Sequence, residues 1–249
     1  MDFNFKKPTH ILALILILSS IIVILFLPIM TFFGFLPSTS SIDLDDLSRG
    51  AKLIFEITML FSQLIIVIVL LVLFPILWYV LVNNYSIKKT LKVLKLKFKN
   101  IKTPIIWGLL SAFLMYFLII IFEIFFRGLG VKTEDLGNIE DIEMFFSPVS
   151  MFILFTIQPM TEEFFFRGFL LEKISKYSGD YTAVLITAIL FGIAHLTYNK
   201  PYLAVSIIIM GLILGIIVIK TKNLFTAIIA HTFFNLGSFI LYILTKYYI

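Results

Sequence analysis

The side chains able to do chemistry in this 249-residue chain are the few ionisable and amide groups that interrupt long apolar runs. Three short patterns hold them. Glu162, Glu163 and Arg167 lie in Pro159-Met-Thr-Glu-Glu-Phe-Phe-Phe-Arg-Gly, Phe191 and His195 in Phe-Gly-Ile-Ala-His, and His231 and Asn235 in His-Thr-Phe-Phe-Asn. Two of the three histidines fall here. A charge at the centre of a bilayer costs at least ~2.5–3.5 kcal/mol on insertion scales, which makes such residues functional candidates by default. One buried histidine alone would read as a core residue that fixes helix register. These costly groups and an amide at compatible depths point to one shared site.

Helical spacing divides their roles. Residues four apart share a face, whereas adjacent residues diverge by about 100°. Arg167 therefore lies under Glu163, and Glu162 points elsewhere. Glu163 is the expected partner of the arginine, which leaves Glu162 as an unpaired carboxylate in apolar surroundings, suited to a general base. His195 would share the water or its proton. His231 and Asn235, also four apart, present donors suited to a developing oxyanion. Together these make the minimum for amide hydrolysis without a covalent intermediate. The competing reading is a non-hydrolytic membrane protein, a transporter or immunity protein, in which the same acids and histidines relay protons or hold a small ligand. Against it, the chain shows no repeated halves of the transporter kind.

The remaining intramembrane charges have plainer readings. Glu56 has Lys52 one turn away and Glu123 has Arg127 one turn on, as interfacial ion pairs would. His10 sits at the first membrane boundary. The absence of cysteine excludes disulfides, thiolate metal sites and a cysteine nucleophile. No cofactor is expected to be required. Composition leaves zinc open, with Glu162, His195 and His231 as the available ligands.

The elements that must position these residues are membrane helices. At 60% hydrophobic and 14% charged residues, with mean hydropathy +1.06, the chain is too apolar for a water-soluble domain of its length. A spanning helix needs roughly 20 mainly apolar residues. Seven stretches approach this: 11–33, 53–82, 105–126, 145–172, 181–197, 201–219 and 223–245. The prediction is an all-α polytopic membrane protein with about seven transmembrane helices, six to eight, in a single integral membrane domain over 1–249. The first stretch is too long and lacks the cleavage site of a signal peptide, and reads as a retained helix. With the N-terminus inside, 14 of the 20 basic residues fall on cytoplasmic segments, Arg167 among them, and Arg49, Lys52, Arg127, Lys132, Lys200 and Lys246 fall outside. The net charge of +5 thus reports topology and gives no sign of nucleic acid.

Depth counted from the cytoplasmic helix ends at ~1.5 Å per residue puts Glu162 ~16 Å, His195 ~21 Å and His231 ~12 Å into the membrane. One polar cavity, reached from the cytoplasmic half, accounts for all three, and Pro159 is expected to kink or widen its helix just before the glutamates. Residues 88–102 carry seven lysines, from Lys88 to Lys102, with Ile87, Leu91, Leu94, Phe98 and Ile101 at helical spacing. This predicts either an amphipathic helix on the inner leaflet or a solvated loop, and in both cases contact with anionic lipid. Gly211 and Gly215 form a small-residue seam for close helix packing.

At these residues the sequence resembles the CAAX protease and bacteriocin-processing family of intramembrane endopeptidases, also called the Abi family. The family pattern is E-E-x-x-x-R, F-x-x-x-H and H-x-x-x-N on successive helices, matched in order by Glu162-Glu163…Arg167, Phe191…His195 and His231…Asn235. The resemblance covers about residues 145–240, and residues 1–144 carry no mark of the family. It implies that Glu162 and His195 activate the attacking water and that His231 and Asn235 form the oxyanion hole. It further implies that Glu163, Arg167 and Phe191 support the site or bind substrate. Family members are often labelled metalloproteases, although a glutamate-based mechanism needs no metal. The implied activity is cleavage of a peptide bond near the cytoplasmic side of a cell membrane. The substrate would be a prenylated CAAX-like protein, a bacteriocin or another peptide with a membrane-associated segment. A composition heavy in Ile, Lys and Phe points to a prokaryote.

Overall fold

The computed structural model describes residues 3–35, 48–98, 100–130, 139–196 and 201–248, and every regular element among them is helical. In chain order these are α1 (Pro8–Phe32), α2 (Arg49–Leu81), α3 (Ile87–Val93), α4 (Lys102–Gly128), α5 (Ile139–Glu143), α6 (Pro148–Glu163), α7 (Leu171–Ser178), α8 (Asp180–Ile193), α9 (Pro201–Thr221) and α10 (Phe225–Tyr248). Starts are marked as the sequence suggests. Ser48 and Ser86 accept the backbone N–H of Ala51 and Lys89 with their hydroxyls, and proline opens α1 and α6. Gly179, at φ +78°, turns the chain between α7 and α8, a conformation a side chain would disfavour.

Among the described residues, five helices are long and apolar enough to cross a membrane: α1, α2, α4, α9 and α10. Their outward faces carry exposed apolar side chains such as Trp107, Phe113 and Phe117 on α4, as expected where lipid is the solvent. The chain is a multi-pass membrane protein. Two of the seven expected stretches depart from the standard, each for its own reason. The helical run through α6 and α7 carries Glu162, Glu163, Arg167 and Glu172, and the 14 residues of α8 reach only ~21 Å against a hydrocarbon core of ~30 Å. These two irregular helices hold most of the polar motifs.

Among the described residues, three helical runs contain π-helical turns, at Ile22–Phe26, Val69–Leu73 and Phe164–Leu170. Pro28 and Pro75 follow the first two, where the ring displaces the carbonyl four residues back and opens the turn. The third contains no proline. Pro159 remains inside the α-helix α6, and the widening comes after the glutamates, at Arg167, instead of before them.

Helix ends gather on two faces. At the lysine-rich end, Phe3 stacks on Trp78, Tyr79 donates to Glu172 at 2.7 Å, Leu224 N–H reaches the Lys95 carbonyl at 3.0 Å, and Asn223 reaches that of Lys97 at 3.1 Å. At the opposite end, Glu56 accepts from Ser147 and Ser150, and Glu143 accepts from Tyr242 and Lys246. Glu123 and Arg127 pair as expected. Glu56 is held by serine hydroxyls that its local sequence does not reveal.

The amphipathic helix is cut short. α3 ends at Val93, Lys95 takes φ +61°, and Leu94 is fully buried in the core instead of facing lipid. The left-handed residue stops the helix and turns the lysine segment onto the start of α10. Gly211 and Gly215 do form a close seam, against Ala188 and Val184 of α8.

Candidate active site

Glu163 and Arg167 form the buried base of the site. Both side chains are fully buried, and Arg167 Nη1 donates to Glu163 Oε1 at 2.8 Å, as their spacing predicts. The guanidinium lies 4.2 Å from the Phe191 ring centre and donates through Nη2 to the Gly211 carbonyl at 3.4 Å. A glycine is required there because a Cβ on Gly211 would stand 3.0 Å from Ala188 Cα and 3.2 Å from Arg167 Nη2. Arg167 is thus no part of a cytoplasmic loop, and the topology count loses one basic residue from that side. The π-turn around it is buried on every face, with Phe164 to Leu170 all in the core.

His231 joins the two glutamates. Its Nδ1 lies 3.0 Å from Glu163 Oε1, the oxygen that also accepts from Arg167, and its Nε2 lies 3.9 Å from Glu162 Oε2. An ionised carboxylate only accepts, so Nδ1 carries the hydrogen. Glu162 is not isolated: Gln158 Nε2, four residues earlier on the same face, donates to its Oε1 at 3.0 Å. The i, i+4 spacing could have revealed Gln158, and sequence reasoning missed it.

His195 follows the end of α8 and turns back on it. Its Nδ1 is 2.7 Å from the Phe191 carbonyl, which can only accept, so Nδ1 is protonated and Nε2 of the neutral ring is an acceptor. The Phe191 ring packs edge-on against both histidines, with centroids 4.7 Å from His195 and 5.7 Å from His231. Through its ring and carbonyl, Phe191 joins the three motifs.

A cavity of about 430 Å³ gathers Gln158, Glu162, His195, His231 and Asn235 on its wall, while Glu163 and Arg167 stand behind that wall. Tyr116 from α4 also lines it and donates to the Phe234 carbonyl at 2.5 Å. No spacing in the sequence signals Tyr116, which comes from a distant helix. The sequence predicts access from the lysine-rich half, whereas the described lining of the cavity extends mainly the other way. Its wall continues along α10 through Leu241, Tyr242 and Thr245 and includes Ile139 and Ile142 of α5, all towards the opposite end. There, Tyr242 Oη and Lys246 Nζ both donate to Glu143 Oε2, at 2.6 Å and 2.5 Å. Lys246 and Tyr242 hold the Glu143 carboxyl below the usual carboxylate range, so this tie persists at neutral pH. Among the described residues, no three His, Asp or Glu side chains group to hold a metal ion.

The three motifs lie within the segment recognised by comparison. Residues 144–237 match the family described as Type II CAAX prenyl endopeptidase Rce1-like. No curated protein and no solved structure matches the chain. Over residues 144–237 the chain is thus similar to the Rce1-like family of type II CAAX prenyl endopeptidases, consistent with the CAAX protease and bacteriocin-processing grouping that its motifs resemble.

Proposed function

We propose that the protein is a CAAX-type intramembrane endopeptidase in which Glu162 activates water for attack on a peptide bond. The observation that carries this reading is the convergence of Glu162, His195, His231 and Asn235 on one cavity. Its volume of about 430 Å³ lies within the ~300–1,000 Å³ usual for ligand pockets.

In this mechanism a water sits between the Glu162 carboxylate and His195 Nε2, both acceptors. Glu162 takes one water proton as the oxygen attacks the carbonyl carbon. The carbonyl oxygen becomes an oxyanion, to which the Asn235 amide donates. His231 donates as well, through Nε2 of the doubly protonated ring, with Nδ1 held by Glu163 at 3.0 Å. Glu162 then returns the proton to the leaving amine as the C–N bond breaks. Gln158 holds the far oxygen of Glu162 in place.

A transmembrane proton relay would need a polar path to both faces. Between the site and the lysine-rich end stand the buried side chains of Phe165, Phe166, Leu171 and Leu224, which favours a cleavage chamber over a relay.

The test is incubation of purified protein with a fluorogenic peptide library, with and without EDTA or phenanthroline. Cleavage that persists in chelator is the expected result. Absence of cleavage by folded protein contradicts the endopeptidase reading. Chelator-sensitive cleavage restored by zinc contradicts the metal-free mechanism and makes Glu162, His195 and His231 the ligand set.

A further inference from the structure

The segment that matches the family begins at residue 144, yet the cavity its motifs line has part of its wall from outside that segment. Tyr116, on α4, meets α10 at the turn that follows Asn235. Its hydroxyl donates to the Phe234 carbonyl at 2.5 Å and accepts from Ser238 Oγ at 3.3 Å, and its ring lies against that of Phe234 with centroids 4.5 Å apart. A phenol has one hydrogen, and here the Phe234 carbonyl takes it. Tyr116 therefore lines the cavity with its proton already committed, and what it acts on is the backbone of α10.

Two close approaches fix α10 against α4 in this register. A Cβ on Gly237 would fall on the Tyr116 hydroxyl, and one on Gly108 would stand 2.8 Å from Ile229 Cγ2 and 3.0 Å from the Thr226 carbonyl. Gly108 and Tyr116 are eight residues apart on α4, as are Ile229 and Gly237 on α10, so the two helices run in the same direction and the contacts lie about 12 Å apart along them. His231 and Asn235 fall between these two contacts. On another side α10 is tied at His231, whose Nδ1 lies 3.0 Å from Glu163 Oε1. The peptide joining Phe234 to Asn235, whose oxygen accepts from Tyr116, is the point from which the Asn235 side chain starts.

We propose that Tyr116 is a positioning residue for the oxyanion donor: by holding the Phe234 carbonyl it sets where the Asn235 amide meets the oxygen of the cleaved bond. This rests on the endopeptidase reading above. A donor stabilises the oxyanion from ~2.7–3.1 Å, and a misplacement of about 1 Å can cost about 10²-fold in rate. The tie of His231 to Glu163 fixes α10 at one point, and Tyr116 supplies the second, one turn on. The site then needs α4 as well as the helices that carry the three motifs, although α4 lies outside the matched segment.

The test compares the full chain with Tyr116→Phe, Asn235→Ala and the double variant on a library peptide that the wild type cleaves. Tyr116→Phe keeps the ring against Phe234 and removes only the hydroxyl. The expected result is a kcat about 10- to 100-fold lower for Tyr116→Phe with KM little changed, and no further loss when it is added to Asn235→Ala. Wild-type kcat in Tyr116→Phe, or the same fold-loss whether or not Asn235 is present, overturns the proposal and leaves the endopeptidase reading standing. Thermal unfolding tests the contact without substrate. Gly237→Ala should lower the midpoint less in Tyr116→Phe than in the wild-type background, because the hydroxyl its Cβ would meet is gone. Equal drops overturn the contact and the proposal with it. Absence of cleavage by folded wild-type protein overturns the endopeptidase reading, while a smaller drop in the Tyr116→Phe background would still uphold Tyr116 as the residue that holds the Asn235 turn.

Discussion

Glu163 accepts from Arg167 and His231 on one oxygen behind the cavity wall, whereas Glu162 accepts from Gln158 and faces the cavity. Neighbours in sequence thus have different work, and replacing each should fail differently. Glu163→Gln preserves shape but leaves the guanidinium of a fully buried Arg167 without its counter-charge, a loss of ~3–5 kcal/mol where such pairs are buried. Thermal unfolding in detergent should show a large drop in midpoint, and an unchanged midpoint would contradict the pairing. Asn235→Ala removes the donor proposed to act only once charge develops on oxygen. Its kcat should fall by ~10²–10³ with KM little changed, and a raised KM with normal kcat would count against an oxyanion role. Spacing made the Glu163–Arg167 pair legible, because both partners lie on one helical run. The His231–Glu163 contact joins residues 68 apart on different helices and was not legible, for no local period encodes it.

Helices read from composition were the most legible elements, since length and apolarity suffice for α1, α2, α4, α9 and α10. The two that depart from the rule were harder. The end of α8 inside the membrane, and the π-turn at Arg167 with no proline in it, are set by what packs around them. The lysine segment misled because apolar residues at helical spacing suggested a helix, while the left-handed Lys95 directs Leu94 into the core. The glycine seam was legible, and its tightness makes a prediction. Gly211→Ala sets a Cβ 3.0 Å from the backbone Cα of Ala188, which cannot rotate away, so α9 must shift from α8 and from Arg167. Overpacking of this kind costs ~1–3 kcal/mol. Gly128→Ala, where nothing lies within 4 Å, is the control and should unfold as the wild type does. Equal unfolding midpoints for the two variants would mean the seam is looser than described.

Across the whole molecule, depth counting brought the motif residues to one level, and Glu162, His195, His231 and Asn235 do share one cavity. What fills the space beside the motifs was not legible, because distance along a helix says nothing about what packs against it. Only the tertiary structure shows Phe165, Phe166, Leu171 and Leu224 buried in the same core. What the assembled molecule is proposed to do depends on one carboxylate in one protonation role, and Glu162→Gln isolates it. The change keeps the side-chain shape and leaves the Glu163–Arg167 pair intact, so the fold should persist. The measurement is turnover of a cleaved library peptide by wild-type and Glu162→Gln protein, each shown by thermal unfolding to be folded. The variant should turn over at background level with a wild-type unfolding midpoint, and near-wild-type turnover by folded Glu162→Gln would contradict the role of Glu162 as base.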